Sequence, residues 1–488
     1  MKLLTLNPPY LKNYSRQSRS PCVAKSGTIY YSYYLAYAGC AAELAGADVT
    51  HIDSIAFDLD YDTTLYHVTN AKPDIIIIDT STPSIKSDIE FASLVKQRCP
   101  SALVFCVGTF PSKNTQDFFM LAASFSPSID GCFIGEYEEI VYNLCLNQHT
   151  WKEVPGISFF IGENDYKRDV VAQKTRSEFL DRLPFVSEFY LKHLGKKGIK
   201  RHFYASITWP YIQILTARGC PFKCSFCNIP SIGSYRKRSI ESVINELKYI
   251  KNNLSFVNEI FIEDDTFPID KKRTIALCKR IVEEKINLKW SCNARVDTDP
   301  EALMWMKKAG CRLTCVGFES PTTNALDGVI KKTSLKQQED FMVNANEIGM
   351  KVNGCFILGL HGDTADTIQN TIEYSKKLMP NTAQFYPHMV YPGTGSFKWA
   401  EDNNLLEHKD WTKWNTDEGF HNTPLKINGL SSRDLLDLAD KARKEFYLNP
   451  WYILKMLRQS LTSFSEFQRI IIAGKSFFPL LYSYIFKK

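Results

Sequence analysis

The chain has 488 residues, of which 44% are hydrophobic and 23% are charged, and its formal net charge is +6. This length predicts about three domains, and the apolar content excludes collagen-like, low-complexity and intrinsically disordered chains. The basic excess is concentrated in residues 441–488, which disfavours a nucleic-acid-binding surface spread over the whole chain.

The first ten residues combine a short apolar stretch with Asn7 and two prolines, a pattern typical of neither a secretory signal nor a transit peptide. We therefore expect a cytoplasmic protein. In a reducing compartment the 14 cysteines are expected to be thiols or metal ligands rather than a disulfide framework.

Residues 1–145 alternate short apolar runs with helix-like stretches. Helices are predicted over residues 32–46 and 86–98, and strands over residues 2–6, 49–53, 73–79, 102–107 and 130–135. This alternation predicts an α/β fold, namely an open, doubly wound parallel sheet of the Rossmann-like kind. Residues 146–205 carry turn signals and weak periodicity, and we interpret them as a connector.

Ligands of a doubly wound sheet bind beyond the carboxyl ends of its strands. Small and hydroxyl-bearing side chains are concentrated at these positions, which are Asn7, Thr80, Ser81, Thr82, Gly108, Thr109, Gly135 and Glu136. The first strand is not followed by GxGxxG, and no P-loop motif occurs, which disfavours a nicotinamide dinucleotide or a P-loop nucleotide. A sheet without a ligand is the alternative.

The strongest chemical signal is a CxxxCxxC motif formed by Cys220, Cys224 and Cys227, directly after a predicted strand at residues 211–217. A closed zinc site would need a fourth ligand, and the only downstream cysteine pair, Cys311 and Cys315, borders or lies within a predicted strand. An open iron–sulfur cluster fits better, because three cysteines leave one iron free to bind a small molecule.

This loop, with Phe226 directly before the third cysteine, resembles the signature of the radical S-adenosylmethionine (SAM) superfamily. After it come a predicted helix at residues 239–253 and five further strand-like runs, which predict six βα units in a partial barrel over residues 206–400. The resemblance implies a 4Fe-4S cluster that binds SAM and cleaves it to a 5′-deoxyadenosyl radical. It also implies an electron donor such as flavodoxin or ferredoxin.

The resemblance also implies roles for residues at the ends of the barrel strands. Carboxylates after the second strand would bind the SAM amino group, Arg295 its carboxylate, and residues after the fourth strand the ribose. Apolar residues near the fifth strand would pack on adenine, where His361 replaces the usual proline. The implied contacts are Phe226, Glu263, Asp264, Asp265, Arg295, Glu319, Ser320, Lys331, Ile357, Gly359 and Leu360. A solvated acidic turn and a surface ion pair are the alternatives for the carboxylates and for Arg295.

Residues 1–400 as a whole resemble the branch of this superfamily that adds a cobalamin-binding domain before the barrel. The matching segments include residues 7–9, the Asp79 loop and residues 134–139. The resemblance implies cobalamin at the strand ends of the first domain. Because the DxHxxG loop of other cobalamin proteins is absent, we expect no histidine on cobalt, with residues 80–84 beneath it.

These observations favour a cobalamin-dependent methyltransferase that acts on an unactivated carbon. A cyclase, ring-contraction or oxidation enzyme with the same cofactors is the first alternative. A methylthiotransferase is disfavoured because no second cysteine triplet occurs in the first domain, and a non-enzymatic sensor is disfavoured because most of the SAM strand-end set is present. Lipid, glycan, peptide and other small-molecule substrates all stay open.

Residues 401–488 form a C-terminal region with predicted helices at residues 432–446 and 450–459. Its end is aromatic and basic, including Phe477, Phe478 and Tyr484, but it is too short and too interrupted to span a bilayer. It either caps the barrel as a small helical domain or rests on a membrane surface.

Overall fold

The computed structural model describes residues 1–162, 165–169, 171–229, 233–461, 466–472 and 474. Two sheets organise the chain, one of seven strands and one of six, and a two-stranded ribbon flanks the cysteine loop. Phe477, Phe478 and Tyr484 lie outside the described residues. Among the residues that are described, no helix is long and apolar enough to cross a membrane.

The first sheet belongs to the amino-terminal part of the chain. Its strands are β1 (Lys2–Asn7), β2 (Asp48–Asp53), β3 (Ile75–Asp79), β4 (Leu103–Val107), β5 (Gly131–Phe133), β6 (Ile157–Phe160) and β7 (Tyr166–Lys167). The helices of this part are α1 (Tyr33–Leu44), α2 (Ser54–Phe57), α3 (Tyr61–Ala71), α4 (Ile85–Arg98), α5 (Thr109–Lys113), α6 (Thr115–Ala122), α7 (Glu138–Leu146), α8 (Ser177–Arg182), α9 (Val186–His193) and α10 (Gly195–Ile199).

The strand order is β2-β1-β3-β4-β5-β6-β7, and the first five strands are parallel. Every residue of β3 is buried, because helices cover both faces of the sheet and the strand is therefore apolar throughout. The predicted doubly wound α/β fold is confirmed.

The segment that we interpreted as a connector contributes two further strands and three helices. β6 and β7 extend the first sheet with antiparallel pairing. They are four and two residues long, so their sequences are too short to show a period-two pattern. α9 packs against α1, where a β-carbon on Gly39 would lie 2.4 Å from the Phe189 ring, so the helices approach closely only because Gly39 lacks a side chain.

The second sheet and the ribbon follow. Their strands are β8 (Tyr211–Ile214), β9 (Ala217–Arg218), β10 (Arg236–Lys237), β11 (Glu259–Ile262), β12 (Trp290–Ala294), β13 (Cys311–Glu319), β14 (Lys351–Leu358) and β15 (Thr382–Pro387). The helices of this part are α11 (Ile240–Asn253), α12 (Lys271–Glu283), α13 (Pro300–Lys308), α14 (Thr323–Gly328), α15 (Leu335–Glu347), α16 (Ala365–Leu378), α17 (Gly395–Asp402), α18 (Ser432–Tyr447) and α19 (Pro450–Ser460).

The six strands β15-β14-β13-β12-β11-β8 are all parallel, so the predicted series of six βα units is confirmed. β8 and β15 are not paired with each other, which leaves the barrel open along one side. All six carboxyl ends face one edge, where parallel βα folds place their active sites.

The C-terminal helices pack beside this open side. α18 lies against β15 and α16, and it buries Leu435, Ala439, Ala442 and Phe446. Ser431 and Asp434 form a capping box at its start, which satisfies two backbone groups of the first turn. The described part of the C-terminal region therefore includes a helix that covers the edge strand of the barrel.

Candidate active site

The cysteine loop runs between the two strands of the ribbon and is fixed by backbone hydrogen bonds. Cys227 N donates to Cys224 O at 3.1 Å, and Gly233 N donates to Cys220 O at 2.7 Å. The three cysteines line one cavity of about 250 Å³ at the carboxyl ends of the barrel strands, which we call the cluster cavity. The loop thus brings all three predicted thiols to one space.

The three thiols suit an iron–sulfur cluster, because such clusters are held by cysteine thiolates. Burial raises the pKa of the Cys227 thiol to about 11 and also raises that of Cys224, so iron binding has to displace these protons.

The three consecutive carboxylates after β11 are not equivalent. Glu263 and Asp265 line the cluster cavity. Asp264 points elsewhere, because its carboxylate accepts hydrogen bonds from Thr216 N at 2.6 Å, Thr216 Oγ1 at 2.5 Å and Ala217 N at 3.0 Å. The structure therefore places Asp264, which was predicted to contact SAM, on the backbone before the cysteine loop, where it holds that backbone in position.

Glu263 is a buried carboxyl group that faces the cavity. Its Oε1 accepts from Asn293 Nδ2 at 3.4 Å and lies 3.7 Å from Nε of Arg19, whereas its Oε2 has no hydrogen-bond partner in the described structure. Burial raises its pKa to about 7. An unpartnered buried oxygen of this kind is suited to accept a hydrogen bond from a bound ammonium group.

Arg295 and Glu319 also line the cavity, but each is already paired. The guanidinium of Arg295 stacks on Phe222 with 3.6 Å between its carbon and the ring centroid, and it pairs with Asp297 at 3.0 Å. Glu319 accepts from Lys331 Nζ at 2.7 Å. A β-carbon on Gly317 would lie 2.2 Å from Glu319 Oε1, so a side chain there would displace the ends of this pair.

Ser320 is fully buried and does not line the cluster cavity. Its hydroxyl accepts from Thr322 N at 3.1 Å and lies 3.4 Å from Thr371 Oγ1. The predicted ribose contact is therefore placed by the structure in the turn after β13, beneath Glu319.

The apolar residues predicted to pack on adenine form one small cluster. Ala325, Val329 and Leu360 are buried together, with Phe226 and Ile357 packed against them. Phe226 and Ile357 also line the cavity. The nearby His361 ring stacks on Trp399 with centroids 3.7 Å apart, which gives this loop a packing partner in α17 where relatives carry proline.

The strand ends of the first sheet form a closed hydrogen-bonded network. Asn7 Nδ2 donates to Asp53 at 2.8 Å, and Thr80 Oγ1 donates to Val107 O at 2.8 Å. Ser81 Oγ contacts the Tyr14 hydroxyl at 2.9 Å. These side chains, together with the buried Thr82, support the loops at this edge, so a ligand there would meet mainly loop backbone and outer atoms.

Beneath residues 80–84 lies a fully buried ion pair. Arg16 Nη2 is 2.8 Å from Asp88 Oδ1, and both side chains have no exposed surface. Asp88 also accepts from Ser84 Oγ at 2.6 Å and from Ser81 N at 3.1 Å. The pair therefore fixes the shape of the loop that was predicted to lie beneath cobalt.

This edge faces the cysteine loop. Asn228, next to Cys227, donates to Thr109 Oγ1 at 3.4 Å and accepts from Lys113 Nζ at 3.2 Å. Gly108 adopts φ +134°, and a β-carbon there would lie 2.4 Å from Thr80 O, so only glycine allows this close approach. A cofactor at the end of β4 would thus lie beside the cluster cavity.

Glu136 and Gly135, predicted as cofactor contacts, serve the packing between the two parts. Glu136 accepts from both terminal nitrogens of Arg236, at 2.5 and 2.8 Å. Gly135, at φ +98°, pairs with Gln173.

Residues 1–145 contain two histidines, His51 and His67. His51 is buried against Thr5, and His67 is on α3, so neither side chain reaches the strand ends. The edge fits a cobalamin that takes no histidine ligand from this part of the chain.

Sequence analysis missed several residues of the cavity. Cys315 and Cys355 line it from β13 and β14, and Asn353 Nδ2 donates to Cys315 Sγ at 3.4 Å. Arg19 reaches it from the segment after β1 and lies 3.6 Å from Asp265. No local motif signals these residues, because they come from the middle of strands or from a distant loop.

A three-cysteine loop after the first strand of an open parallel barrel, with strand-end carboxylates facing the same cavity, defines an iron–sulfur enzyme of the radical type. Residues 214–375 match the Radical SAM superfamily. This match, together with a two-sheet fold shared with solved cobalamin-dependent radical SAM enzymes, supports membership of the cobalamin-dependent radical SAM family. The superfamily uses a 4Fe-4S cluster and SAM.

Two relatives and one solved structure are similar over most of the chain. An uncharacterised methyltransferase of Pyrococcus horikoshii is 29% identical over 84% of this chain and 86% of its own length. The anaerobic magnesium-protoporphyrin IX monomethyl ester cyclase of Rubrivivax gelatinosus is 25% identical over 83% and 71%. The radical SAM methyltransferase TsrM of Kitasatospora setae, solved with cobalamin and a 4Fe-4S cluster, is 17% identical and has a TM-score of 0.66 over 97% of this chain and 98% of its own.

Proposed function

We propose that this enzyme is a cobalamin-dependent radical SAM methyltransferase that methylates an unactivated carbon. The observation that carries the proposal is the contact of Asn228 with Thr109 and Lys113, which brings the strand ends of the first sheet to the cysteine loop. A methyl carrier at that edge and a radical source at the loop would share one substrate. The methyltransferase relatives support the same reaction class.

The cofactors would supply a radical that removes hydrogen from the substrate and a methyl group that replaces it. For this chain we propose that Cys220, Cys224 and Cys227 hold the cluster. Glu263 and Asp265 would accept hydrogen bonds from the SAM amino group, because Glu263 is buried, Asp265 is partly buried, and both face the cavity.

Three further groups would orient SAM. The Glu319 carboxylate would accept from the ribose hydroxyls, and Lys331 would hold that carboxylate in place. Phe226 and Ile357 would pack on the adenine ring. Tyr30, Tyr204 and Tyr386 line the same cavity and would exclude water from the reacting atoms.

The experiment is an anaerobic incubation of the reconstituted enzyme with SAM carrying a deuterated methyl group, a small-molecule cell extract and a flavodoxin or ferredoxin electron donor. We expect 5′-deoxyadenosine and a compound that gains the mass of one labelled methyl group. The Cys220, Cys224 and Cys227 triple alanine variant is the control, and it should yield neither.

A cyclase or oxidation enzyme with the same cofactors is the second candidate, and the Rubrivivax cyclase relative favours it. Product mass separates the two reactions, because a ring closure or oxidation leaves the label out of the product. Deoxyadenosine formation with unlabelled products of lower mass would replace the methyltransferase proposal with this one.

We also propose that α19 rests on an anionic membrane surface. Trp451, Leu457 and Leu461 are 70%, 59% and 86% exposed. Exposed apolar side chains beside Arg458 suit the interface of an anionic bilayer.

Vesicle flotation tests this proposal. Vesicles of phosphatidylglycerol and phosphatidylcholine should bind the protein at low salt, and this binding should be lost when Trp451 and Leu457 are changed to Ser. Tyr66→Ser, an exposed site on α3, is the control, and equal recovery of all variants would contradict the proposal.

A further inference from the structure

A second cavity, of about 390 Å³, lies along the open side of the barrel. Its walls include residues 22–26 and 204–206, strand β15 and helices α18 and α19, and we call it the seam cavity. It shares six wall residues with the cluster cavity: Ser18, Tyr30, Tyr204, Gln384, Tyr386 and Pro387. Its volume is that of a site for one organic molecule, and one end of such a molecule would reach the proposed radical site.

Most of the seam cavity wall is apolar or aromatic. β15 contributes Phe385 and Tyr386, and the C-terminal helices contribute Tyr447, Tyr452 and Met456. Aromatic and thioether side chains pack well on flat or irregular apolar groups. The occupant should therefore have a substantial apolar body.

The charges inside this cavity are unbalanced. Its described lining residues include four cations, Lys25, Arg433, Arg443 and Arg469, and two carboxylates, Asp437 and Asp440. Asp440 is shared, because Lys25 Nζ donates to it at 2.6 Å and Arg443 also bonds to it. Arg433 and Asp437 are exposed at the rim and pair with each other.

The partner of Arg469 does not correct this imbalance. Glu466 pairs with Arg469 at 3.0 Å, and it also pairs with Arg312 at 3.2 Å and Lys351 at 2.5 Å. Glu466 is therefore shared by three cations, of which Arg312 also pairs with Glu259 at 2.8 Å. The pKa of Lys25 is lowered by burial and by the neighbouring charges of Arg443 and Arg433, as expected where positive charge is in excess.

We propose that the seam cavity binds the substrate, and that this substrate is an amphipathic organic anion whose apolar body lies along β15 and α18 while Lys25 and Arg443 bind its anionic group. The inference rests on the proposed function, because it treats the cluster cavity as the reaction site. It narrows the substrate from any small molecule to one with a carboxylate, phosphate or sulfonate group at one end of an apolar skeleton.

Two dyes with the same aromatic skeleton test this inference. The anionic 8-anilino-1-naphthalenesulfonate and the neutral N-phenyl-1-naphthylamine both fluoresce in apolar sites, and each is titrated into the reconstituted full chain under anaerobic conditions. We expect one anionic dye per chain, bound at least about tenfold more tightly than the neutral dye. This ratio corresponds to about 1.4 kcal/mol.

Three variants locate the effect. Lys25→Gln should weaken the anionic dye roughly tenfold and leave the neutral dye unchanged, which also reports an intact cavity. Asp440→Asn should tighten the anionic dye severalfold, since it removes the carboxylate that Lys25 and Arg443 share. Lys12→Gln is the matched control, because Lys12 lies in the same amino-terminal segment and pairs with Asp58 in the solvent.

Equal affinity for both dyes, or no opposite response of the Lys25 and Asp440 variants, would overturn the inference. The proposed function is measured separately as 5′-deoxyadenosine formation without substrate. If deoxyadenosine forms and the dyes show no preference, only the substrate class is wrong; if the wild-type chain forms none, the proposed function fails whatever the dyes bind.

Discussion

The carboxyl edges of the two sheets face the same cysteine loop, but they are built differently. At the barrel edge, Glu263, Asp265 and the cysteines line an open cavity. At the edge of the first sheet, side chains such as Asn7 and Ser81 are bonded to their own neighbours. The barrel edge would recognise its ligands through side chains, whereas the first edge would do so through the shape of its loops. Substitutions of the cavity-lining side chains at the barrel edge should therefore act on chemistry, whereas substitutions at the edge of the first sheet should act on folding.

The largest expected effect is at the barrel edge. Changing Cys220, Cys224 and Cys227 to Ala should remove the cluster and all 5′-deoxyadenosine formation, because the cluster would have no other thiolates in this loop. Iron content, the visible absorption spectrum and deoxyadenosine yield measure the result. Cys99→Ala and Cys145→Ala, two partly exposed thiols outside the barrel, are the controls. Retained iron and activity in the triple variant would contradict the assignment.

The next effect is at the edge of the first sheet. Asp88→Asn should lower the free energy of unfolding by about 3–5 kcal/mol, because it leaves the buried Arg16 without its counter-charge. Cobalamin retention should fall with it, since the loop at residues 80–84 loses its support. Chemical denaturation and cobalamin content measure both. Asp58→Asn, which breaks the exposed pair with Lys12, should change stability by less than about 1 kcal/mol. Equal effects of the two variants would show that the buried pair does not hold the loop.

A pH dependence should come from Asp79, at the same edge. Burial raises its pKa to about 7, well above the value near 3.9 expected in the unfolded chain. Between these pH values the folded state binds a proton that the unfolded state lacks, so stability falls as the pH rises through this window. Asp79→Asn should remove this part of the slope, which is at most about 4 kcal/mol.

Unfolding of the cofactor-free chain between pH 5 and 8 measures this change. The Gln17 amide, which donates to Asp79 at 2.8 Å, can donate equally to the amide oxygen that the Asp79→Asn substitution introduces, so folding should be preserved. Glu263 also has a raised pKa and contributes a slope of the same sign in both proteins. An unchanged pH profile in the variant would contradict the burial of an uncharged Asp79.

The sequence predicted the parts of the molecule that depend on local pattern. Buried parallel strands such as β3 are continuous apolar runs, and the three cysteines lie within eight residues of one another, so both were readable without the structure. The residues that close the cavity were not. Arg19 and Tyr204 reach it from segments far apart in the chain, and such contacts are set by the packing of the two parts.

The first edge shows a second limit. Asn7, Thr80 and Glu136 were predicted to contact a cofactor because they follow strands, and the structure gives each a hydrogen-bonded partner within the protein. Position at a strand end predicts proximity to a ligand, but the direction of a side chain depends on the partners that the fold brings near it. Asp264 illustrates this at the barrel edge, where it lies between two carboxylates that face the cavity.

The smallest effect separates those neighbouring carboxylates. Glu263→Gln should weaken SAM binding about tenfold, because an amide cannot match the charge of a carboxylate toward an ammonium group. It should not lower stability, since burial already disfavours the charged form. Asp264→Asn should lower stability by about 1–3 kcal/mol, because it removes the charge that strengthens the hydrogen bonds from Thr216 and Ala217. Equilibrium dialysis with SAM and thermal unfolding at pH 8 measure the two quantities. If Asp264→Asn abolished SAM binding at unchanged stability while Glu263→Gln bound normally, the roles of the two carboxylates would have to be exchanged.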